Sequence, residues 1–370
     1  MKRIRAGIIG VGNIGNAHIE AIHRLGYADV AAICVRDEAR AKELCDFYGI
    51  PKYFTEYSGM LDDPDIDVVH NCTPNTAHFQ INKDCIIAGK HILSEKPLTV
   101  YSSESGKLLE LLKSHNVQNS INFVYRHYSL VQHAKGMIEN GELGDIYSIH
   151  GAYLQDWLLH DSDYNWRIDA RLGGPSRAMA DIGSHWCDLA QFLLGQNILE
   201  VCADMATFVP FRIDGSPGSV QGKRVAVETE DYASALLRFT GGARGSFTVS
   251  QVSAGSKIGL SFDIDGSKAS VHWEHGQADR LWIGHRDSPN EELPLHPDLL
   301  NESGKDSTPH GRKSERWPDA QKNMIDSFYR TILQGEKPRY ADFSEGHKIT
   351  KVVEAVVESY RSGRWEKVGA

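Results

Sequence analysis

Cysteine is scarce in this chain: the 370 residues hold six. Cys34, Cys45, Cys72, Cys85, Cys187 and Cys202 include no C-x-x-C pair and no dense framework. That excludes a disulfide scaffold and a thiolate metal cage, and leaves reduced thiols as the expectation. An apolar run long enough for a membrane helix is also missing. The opening Met1-Lys2-Arg3-Ile4-Arg5 is followed by too few apolar residues, before glycines intervene, to read as a secretion signal. Charge of one sign is nowhere concentrated: 40 Lys and Arg stand against 49 Asp and Glu, a formal net charge of -9, and the basic residues are dispersed. A nucleic-acid footprint is therefore not expected. What is there, 41% hydrophobic and 24% charged residues, suits a globular protein long enough for two domains. The expectation is a cytoplasmic protein with a small-molecule partner.

The first motif is Gly10-Val11-Gly12-Asn13-Ile14-Gly15, directly after the strand-like Ala6-Gly7-Ile8-Ile9. A G-x-G-x-x-G match alone is weak. Here Ile14, Ala17, Ala21, Ile22 and Leu25 follow with helical spacing, and residues 30–35 read as a second strand. In that context Gly10 permits a tight turn, Gly12 lets backbone approach a pyrophosphate, and Gly15 lets helix and strand close up. Twenty residues past Gly15 stands Val35 rather than an acid, with Arg36 next and Arg40 a helical turn on. An arginine there accommodates a 2′-phosphate, which favours NADP, with NAD the alternative. Asp37 competes as a ribose ligand but reads better as the N-cap of a helix over 38–48 that Gly49 ends.

Strand and helix patterns keep alternating: strands at 67–71, 91–94 and 118–123, helices at 76–88 and 102–115. Repeated βα units predict a doubly wound parallel sheet with ligands beyond the carboxyl ends of its strands. Two loops stand there, Thr73-Pro74-Asn75-Thr76-Ala77-His78 and Glu95-Lys96-Pro97. Lys96, just past a buried strand, could donate to a substrate hydroxyl; a surface pair with Glu95 is the plainer alternative. Far downstream, Asp181, His185 and Asp188 fall at i, i+4 and i+7 of a helical pattern whose adjacent stripe is Ile182, Trp186, Leu189 and Leu193. One face can pack and the other can do chemistry.

After residue 126 the composition changes. A helix over 130–140 leads into strand-like runs at 147–153, 201–208, 232–239, 243–251, 258–265 and 267–273, several joined by tight turns, as in an antiparallel sheet. Between the first two runs lies a segment, 153–167, that mixes aromatic faces with hydrogen-bonding groups, as a sugar site does. Trp157, Trp166 and Arg167 are its best candidates for a substrate wall, although each aromatic could be core. Residues 303–317 read as a loop, and helices are expected over 319–333 and 344–361.

These residues carry a resemblance. Gly10 to Gly15, Thr73-Pro74-Asn75 with His78, Glu95-Lys96-Pro97, Tyr125-Arg126, Gly141-Glu142-Leu143-Gly144, Gly173-Gly174 and Asp181-Ile182-Gly183-Ser184-His185 stand in the order found in the glucose/fructose oxidoreductase, inositol dehydrogenase and rhizopine catabolism family, Gfo/Idh/MocA. The chain resembles that family over most of its length. The resemblance implies an α/β Rossmann domain, about 1–125, and an α+β domain with a large open, mostly antiparallel sheet, about 126–317. A tail, 318–370, would pack back on the first domain. It also implies Lys96, Asp181 and His185 as catalytic residues, with Arg126 beside the substrate. The dinucleotide ligands it implies are Gly10, Gly12, Asn13, Ile14, Gly15, Thr73, Pro74, Asn75, His78, Glu95 and Lys96, besides Arg36 and Arg40. The expected reaction is hydride transfer between the nicotinamide and a secondary alcohol of a pyranose, anhydrosugar or cyclitol, in a homo-oligomer formed through the C-terminal sheet. A dehydrogenase or reductase of a non-sugar carbonyl or diol, and a non-catalytic NADP-binding regulator, are the alternatives. No metal is expected: His160, Asp161 and Asp163 could suggest one, but hydride transfer needs none. Relatives carry Gly-His then Glu-Gly near 309–317; the different spacing here leaves the role of His310 open.

Overall fold

The computed structural model describes residues 3–215, 222–307 and 314–369, so His310 lies outside the described residues. Contacts divide the chain into two compact units, Met1–Val124 with Trp317–His347, and Tyr125–Arg316 with Lys348–Ala370.

The first unit alternates β1 (Ile4–Ile9), α1 (Asn13–His23), β2 (Ala28–Cys34), α2 (Glu38–Tyr48), β3 (Lys52–Phe54), α3 (Tyr57–Leu61), β4 (Val68–Asn71), α4 (His78–Ile87), β5 (His91–Ser94), α5 (Ser102–Leu112) and β6 (Asn119–Ile121). All six strands are parallel, in the order β3-β2-β1-β4-β5-β6. This is the doubly wound Rossmann order, which reverses between β1 and β4 and opens a ligand crevice at their carboxyl ends. Its core follows from the apolar strands: Ile4, Ala6, Ile8, Val30, Ile33 and Val68 are buried against Ile19, Ile22 and Leu44. Met324, Ile325, Phe328 and Tyr329 join them from a later helix, α10 (Trp317–Gln334), after the second-unit elements.

The second unit holds α6 (Ser129–Glu139), β7 (Ile146–Leu154), α7 (Ala170–Gly173), α8 (Ser184–Leu194), β8 (Ile198–Ala206), β9 (Phe211–Ile213), β10 (Arg224–Ala226), β11 (Tyr232–Phe239), β12 (Arg244–Ser250), β13 (Gly259–Gly266), β14 (Ser270–Glu274), β15 (Arg280–Gly284), β16 (Glu291–Pro294) and α9 (Glu302–Ser307). Nine strands form one sheet, β16-β15-β14-β13-β7-β12-β11-β8-β17, the last being Glu366–Lys367 after the final helix α11 (Phe343–Ser362). Every pairing is antiparallel except β7 with β12. Period-two burial is plain in β11, where Ala233, Ala235, Leu237 and Phe239 are buried and Leu236 is exposed. The buried face takes α8: the Trp186 ring stacks on Phe247 at 4.9 Å, and its indole N–H donates to the Ser261 carbonyl at 3.0 Å.

Two expectations change. Of the tail 318–370, expected on the first domain, residues 348–370 fall in the second unit, where β17 joins the sheet. Residues 303–307, read as loop, lie in α9, because the Asn301 side chain accepts from the Gly304 N–H at 3.1 Å and holds the His133 carbonyl at 2.8 Å. Gly304 lies so near α6 that a Cβ there would meet the Ser129 carbonyl at 3.0 Å. Among the described residues, no helix is long and apolar enough to cross a membrane.

Candidate functional site

In the first unit the site begins with the glycine loop. Gly10 has φ +86, and a Cβ there would meet the Cys72 carbonyl oxygen at 2.8 Å. Gly15 faces the Gly10 carbonyl so closely that a Cβ would lie 2.3 Å from it, whereas at Gly12 a Cβ would meet nothing within 4 Å. The loop is thus closed at its two ends and open in the middle. Helix α1 starts there with no side-chain cap and no acid in its first turn, leaving its N–H groups to an outside acceptor. Asn13 is exposed and Ile14 half-buried. This open middle and the uncapped helix start fit a dinucleotide pyrophosphate, held by the N–H groups of residues 12–15.

At the end of β2, Arg36 is exposed, and Asp37 caps α2 by accepting the Arg40 N–H at 3.0 Å. The Arg40 guanidinium pairs with Glu43 at 3.0 Å on the surface.

The loops after β4 and β5 are stitched together. Asn71 accepts from the Thr73 hydroxyl at 2.7 Å, and Asn75 is buried. The ring nitrogens of His78 face the carbonyls of Pro97 at 2.7 Å and Thr73 at 2.9 Å. Burial outweighs those carbonyls and lowers the His78 pKa, so the neutral ring donates to one carbonyl at a time. Fully buried, His78 braces the two loops. The Glu95 carboxylate is buried among His18, Asn122 and the Lys96 N–H. The carboxylate is held down to about 2; burial, the largest influence, works against this and is overcome by the hydrogen bonds from His18 and Asn122 and by nearby charge. Lys96 follows, half-buried, with a cis bond to Pro97.

In the second unit, Met179–Gly183 forms a π-helical turn before α8. Glu230 secures its entrance, accepting from the Met179 N–H at 2.8 Å, the Arg177 N–H at 2.9 Å and the Ser176 hydroxyl at 2.8 Å. Hydrogen bonds in a π turn run i→i+5, so the turn that carries Asp181 is wider than the α-helical one the spacing suggested. The third member of the expected stripe leaves it. Asp188 is buried and takes a bidentate bond from Arg126, Nε at 2.8 Å and Nη2 at 2.5 Å. Arg126 also lies over the Phe192 ring at 4.9 Å. This buried, two-pronged pair gives Arg126 a structural partner.

Asp181 accepts from Arg167 Nε at 3.2 Å and from Gln251 Nε2 at 2.9 Å. Gln251 in turn accepts from Arg177 at 3.1 Å, and Arg177 shares the buried Asp231 with Arg212. His185, buried, meets the Tyr125 ring edge-on at 5.0 Å and the Tyr153 ring at 6.3 Å. The two phenols bond to each other at 2.5 Å. Burial chiefly, and the Asp181 charge besides, push both above the ordinary phenol range, so both stay protonated.

The expected aromatic wall divides. Trp166 carries the Arg167 guanidinium over its ring at 4.5 Å and lines a cavity of about 700 Å³ together with Tyr164, Asp169, Arg171, Lys223 and Glu228. Trp157 packs instead on the apolar group Leu158, Ile168 and Val227, and its indole N–H donates to Gln155 at 2.7 Å. Sequence reasoning passed over Gln251 and singled out no role for Tyr125 or for Tyr153, the first residue of the 153–167 segment. Tyr125 stood in the Tyr125-Arg126 motif, but nothing local says that its ring meets His185. Among the described residues, no group of three or more His, Cys, Asp or Glu side chains could hold a metal ion.

Two family models match this chain. One, described as an oxidoreductase family with an NAD-binding Rossmann fold, matches residues 4–123. The other, the Gfo/Idh/MocA C-terminal domain, matches residues 131–272. Levoglucosan dehydrogenase from Pseudarthrobacter phenanthrenivorans is 28% identical over 393 aligned residues, covering 100% of this chain and 99% of its own. A solved levoglucosan dehydrogenase, in complex with NADH and L-sorbose, has a TM-score of 0.92 at 27% identity, covering 100% of this chain and 99% of that one. An inositol dehydrogenase homolog complexed with NAD+ from Azotobacter vinelandii has a TM-score of 0.88 at 26% identity, covering 99% and 97%.

Proposed function

The chain belongs to the Gfo/Idh/MocA family of nicotinamide-dependent oxidoreductases, and from that premise we propose that it oxidises a secondary alcohol of a pyranose, anhydrosugar or cyclitol. The observation that carries this reading is the polar cluster of the second unit. One carboxylate, one imidazole and two neutral phenols gather at Asp181, His185, Tyr125 and Tyr153, and Arg167 joins Asp181 to the Trp166 indole. Hydroxyl donors and acceptors beside an aromatic face suit a polyol ring. The levoglucosan dehydrogenase matched along its whole length supports the same substrate class.

The bound dinucleotide supplies the hydride acceptor. His185 takes the hydroxyl proton as general base. Lys96 donates a hydrogen bond to the same oxygen and stabilises the alkoxide that develops. Asp181 orients a neighbouring hydroxyl or the imidazole. Arg36 and Arg40 favour NADP, while the relatives with NADH and NAD+ support NAD as the alternative.

The test is nicotinamide reduction, followed by absorbance, across pyranoses, anhydrosugars and inositols with NADP+ and NAD+. The wild type is expected to oxidise at least one polyol, and Lys96→Ala to lose about 100-fold or more in turnover with dinucleotide affinity nearly kept. Equal losses in both would remove Lys96 from the chemical step. Silence across the panel with dinucleotide still bound would favour a non-sugar carbonyl or diol substrate, or a regulator.

A further inference from the structure

A buried chain of polar groups, drawn from five elements of the first unit, ends on the Glu95 carboxylate. A carboxylate only accepts, so the 3.0 Å contact makes His18 Nε2 a donor to Glu95 Oε1. His18 Nδ1 lies 2.7 Å from His70 Nδ1, and one nitrogen donates to the other. His70 Nε2 meets the Tyr329 hydroxyl at 2.7 Å. Every ring nitrogen of the two histidines thus has a partner in the chain. Burial lowers the His70 pKa well below its ordinary value, which keeps that ring neutral. Asn122 completes the shell, donating to Glu95 Oε1 at 2.5 Å and to Gln321 at 3.0 Å. His18, His70, Gln321 and Tyr329 are wholly buried, Asn122 nearly so.

The far end of this chain is the proposed reacting lysine. Glu95 Oε2 accepts the backbone N–H of Lys96 at 3.2 Å. His18 sits one helical turn past Gly15, on the helix whose start lies in the glycine loop. The same bonds therefore tie the glycine-loop helix, the β4 strand and the lysine loop into one piece.

We propose that His18 and His70 are positioning residues for Lys96, acting through Glu95 to hold the lysine loop in register with the glycine loop. The inference rests on the reading of Lys96 as the donor to the reacting oxygen. Neither histidine touches substrate or dinucleotide. Tyr329 orients His70, His70 orients the His18 ring, and His18 fixes the rotamer of Glu95, as outer partners do for a metal-ligating histidine.

Two substitutions at His18 separate positioning from packing. Glutamine sets a donor near the position of Nε2 and preserves the bond to Glu95; asparagine reaches only as far as Nδ1 and loses it. His18→Asn should lower turnover about tenfold or more with dinucleotide KM nearly unchanged, while His18→Gln stays within about threefold of wild type. A second measurement needs no substrate. Amidination of Lys96 by methyl acetimidate, followed by mass spectrometry of its peptide, should proceed at the wild-type rate in His18→Gln and at a several-fold different rate in His18→Asn. If both variants lose turnover equally, or if both leave the amidination rate at wild type, His18 is core packing and the proposal fails. If the wild type oxidises no polyol, the reading of the reaction fails, and the amidination rates alone decide on positioning.

Discussion

At the scale of the residue, most of the polar side chains near the site are committed to a named neighbour, and that commitment sorts them by role. Arg36 and Arg40 illustrate it. Both follow β2, but Arg40 spends its guanidinium on Glu43 while Arg36 stands exposed at the strand end. An exposed pair of this kind is worth about 1 kcal/mol or less, so Arg40 can be recruited, but Arg36 needs no rearrangement. Arg36→Ala should raise the KM for NADP about tenfold or more and leave the KM for NAD nearly unchanged; Arg40→Ala should have the smaller effect. Initial rates with both cofactors check this, and equal effects on both would show that neither arginine reads a 2′-phosphate. Arg126 is the converse case. Its two-pronged bond to the buried Asp188 predicts that Arg126→Ala lowers stability by about 3–5 kcal/mol, as the loss of one partner of a buried pair does, which a denaturant titration would report.

At the scale of the element, the glycine loop separates two requirements that the G-x-G-x-x-G pattern merges. Gly15 is required by the fold, since a Cβ would sit 2.3 Å from the Gly10 carbonyl, while at Gly12 the structure leaves open space. Gly15→Ala should therefore cost about 1–3 kcal/mol through forced overpacking and weaken dinucleotide binding as well. Gly12→Ala should leave the melting temperature of the free protein unchanged and remove most of the stabilisation that added NADH gives, because the new methyl occupies the path of the pyrophosphate. Thermal melts with and without NADH distinguish the two. The π turn at Met179–Gly183 shows the limit of reading an element from spacing alone. The i, i+4, i+7 pattern of Asp181, His185 and Asp188 looks like one α-helical stripe, yet a π turn interrupts it and the three groups meet different neighbours, Arg167 and Gln251, Tyr125, and Arg126.

At the scale of the whole molecule, buried histidines set the response to acid. Burial lowers His70 well below its ordinary value and holds His127 at about 3. With folded values below the unfolded value of about 6.5, the unfolded chain binds more protons in between, so stability is full above that value and is lost as pH falls. Each such group contributes a slope of up to about 1.4 kcal/mol per pH unit, for His127 down to about pH 3. Glu95, at about 2 when folded, adds its own loss below the ordinary glutamate range. Denaturant titrations between pH 7 and 4 should show falling stability, with a shallower fall in His127→Gln; an unchanged slope would remove His127 as a cause. Assembly belongs to this scale too. A homo-oligomer through the outer face of the nine-stranded sheet, where Tyr147, Leu236 and Trp282 are exposed, is proposed with the function above. Sedimentation of wild type and Leu236→Glu tests it, and a monomer at micromolar concentration would end it.

The chain by itself carried the doubly wound unit, the glycine loop, the lysine loop and the cap of α2 by Asp37, because period, turn chemistry and capping act over a few residues and leave a local mark. The antiparallel character of the second sheet was legible in the same way, from alternation and tight turns. Pairings between residues far apart left no such mark. That His78 braces two loops, that Glu95 faces His18, that Arg126 belongs to Asp188 and that Tyr125 meets His185 became visible only in the folded chain. The physical reason is that a buried polar group must find its partner wherever the fold brings one, and sequence distance places no bound on that choice.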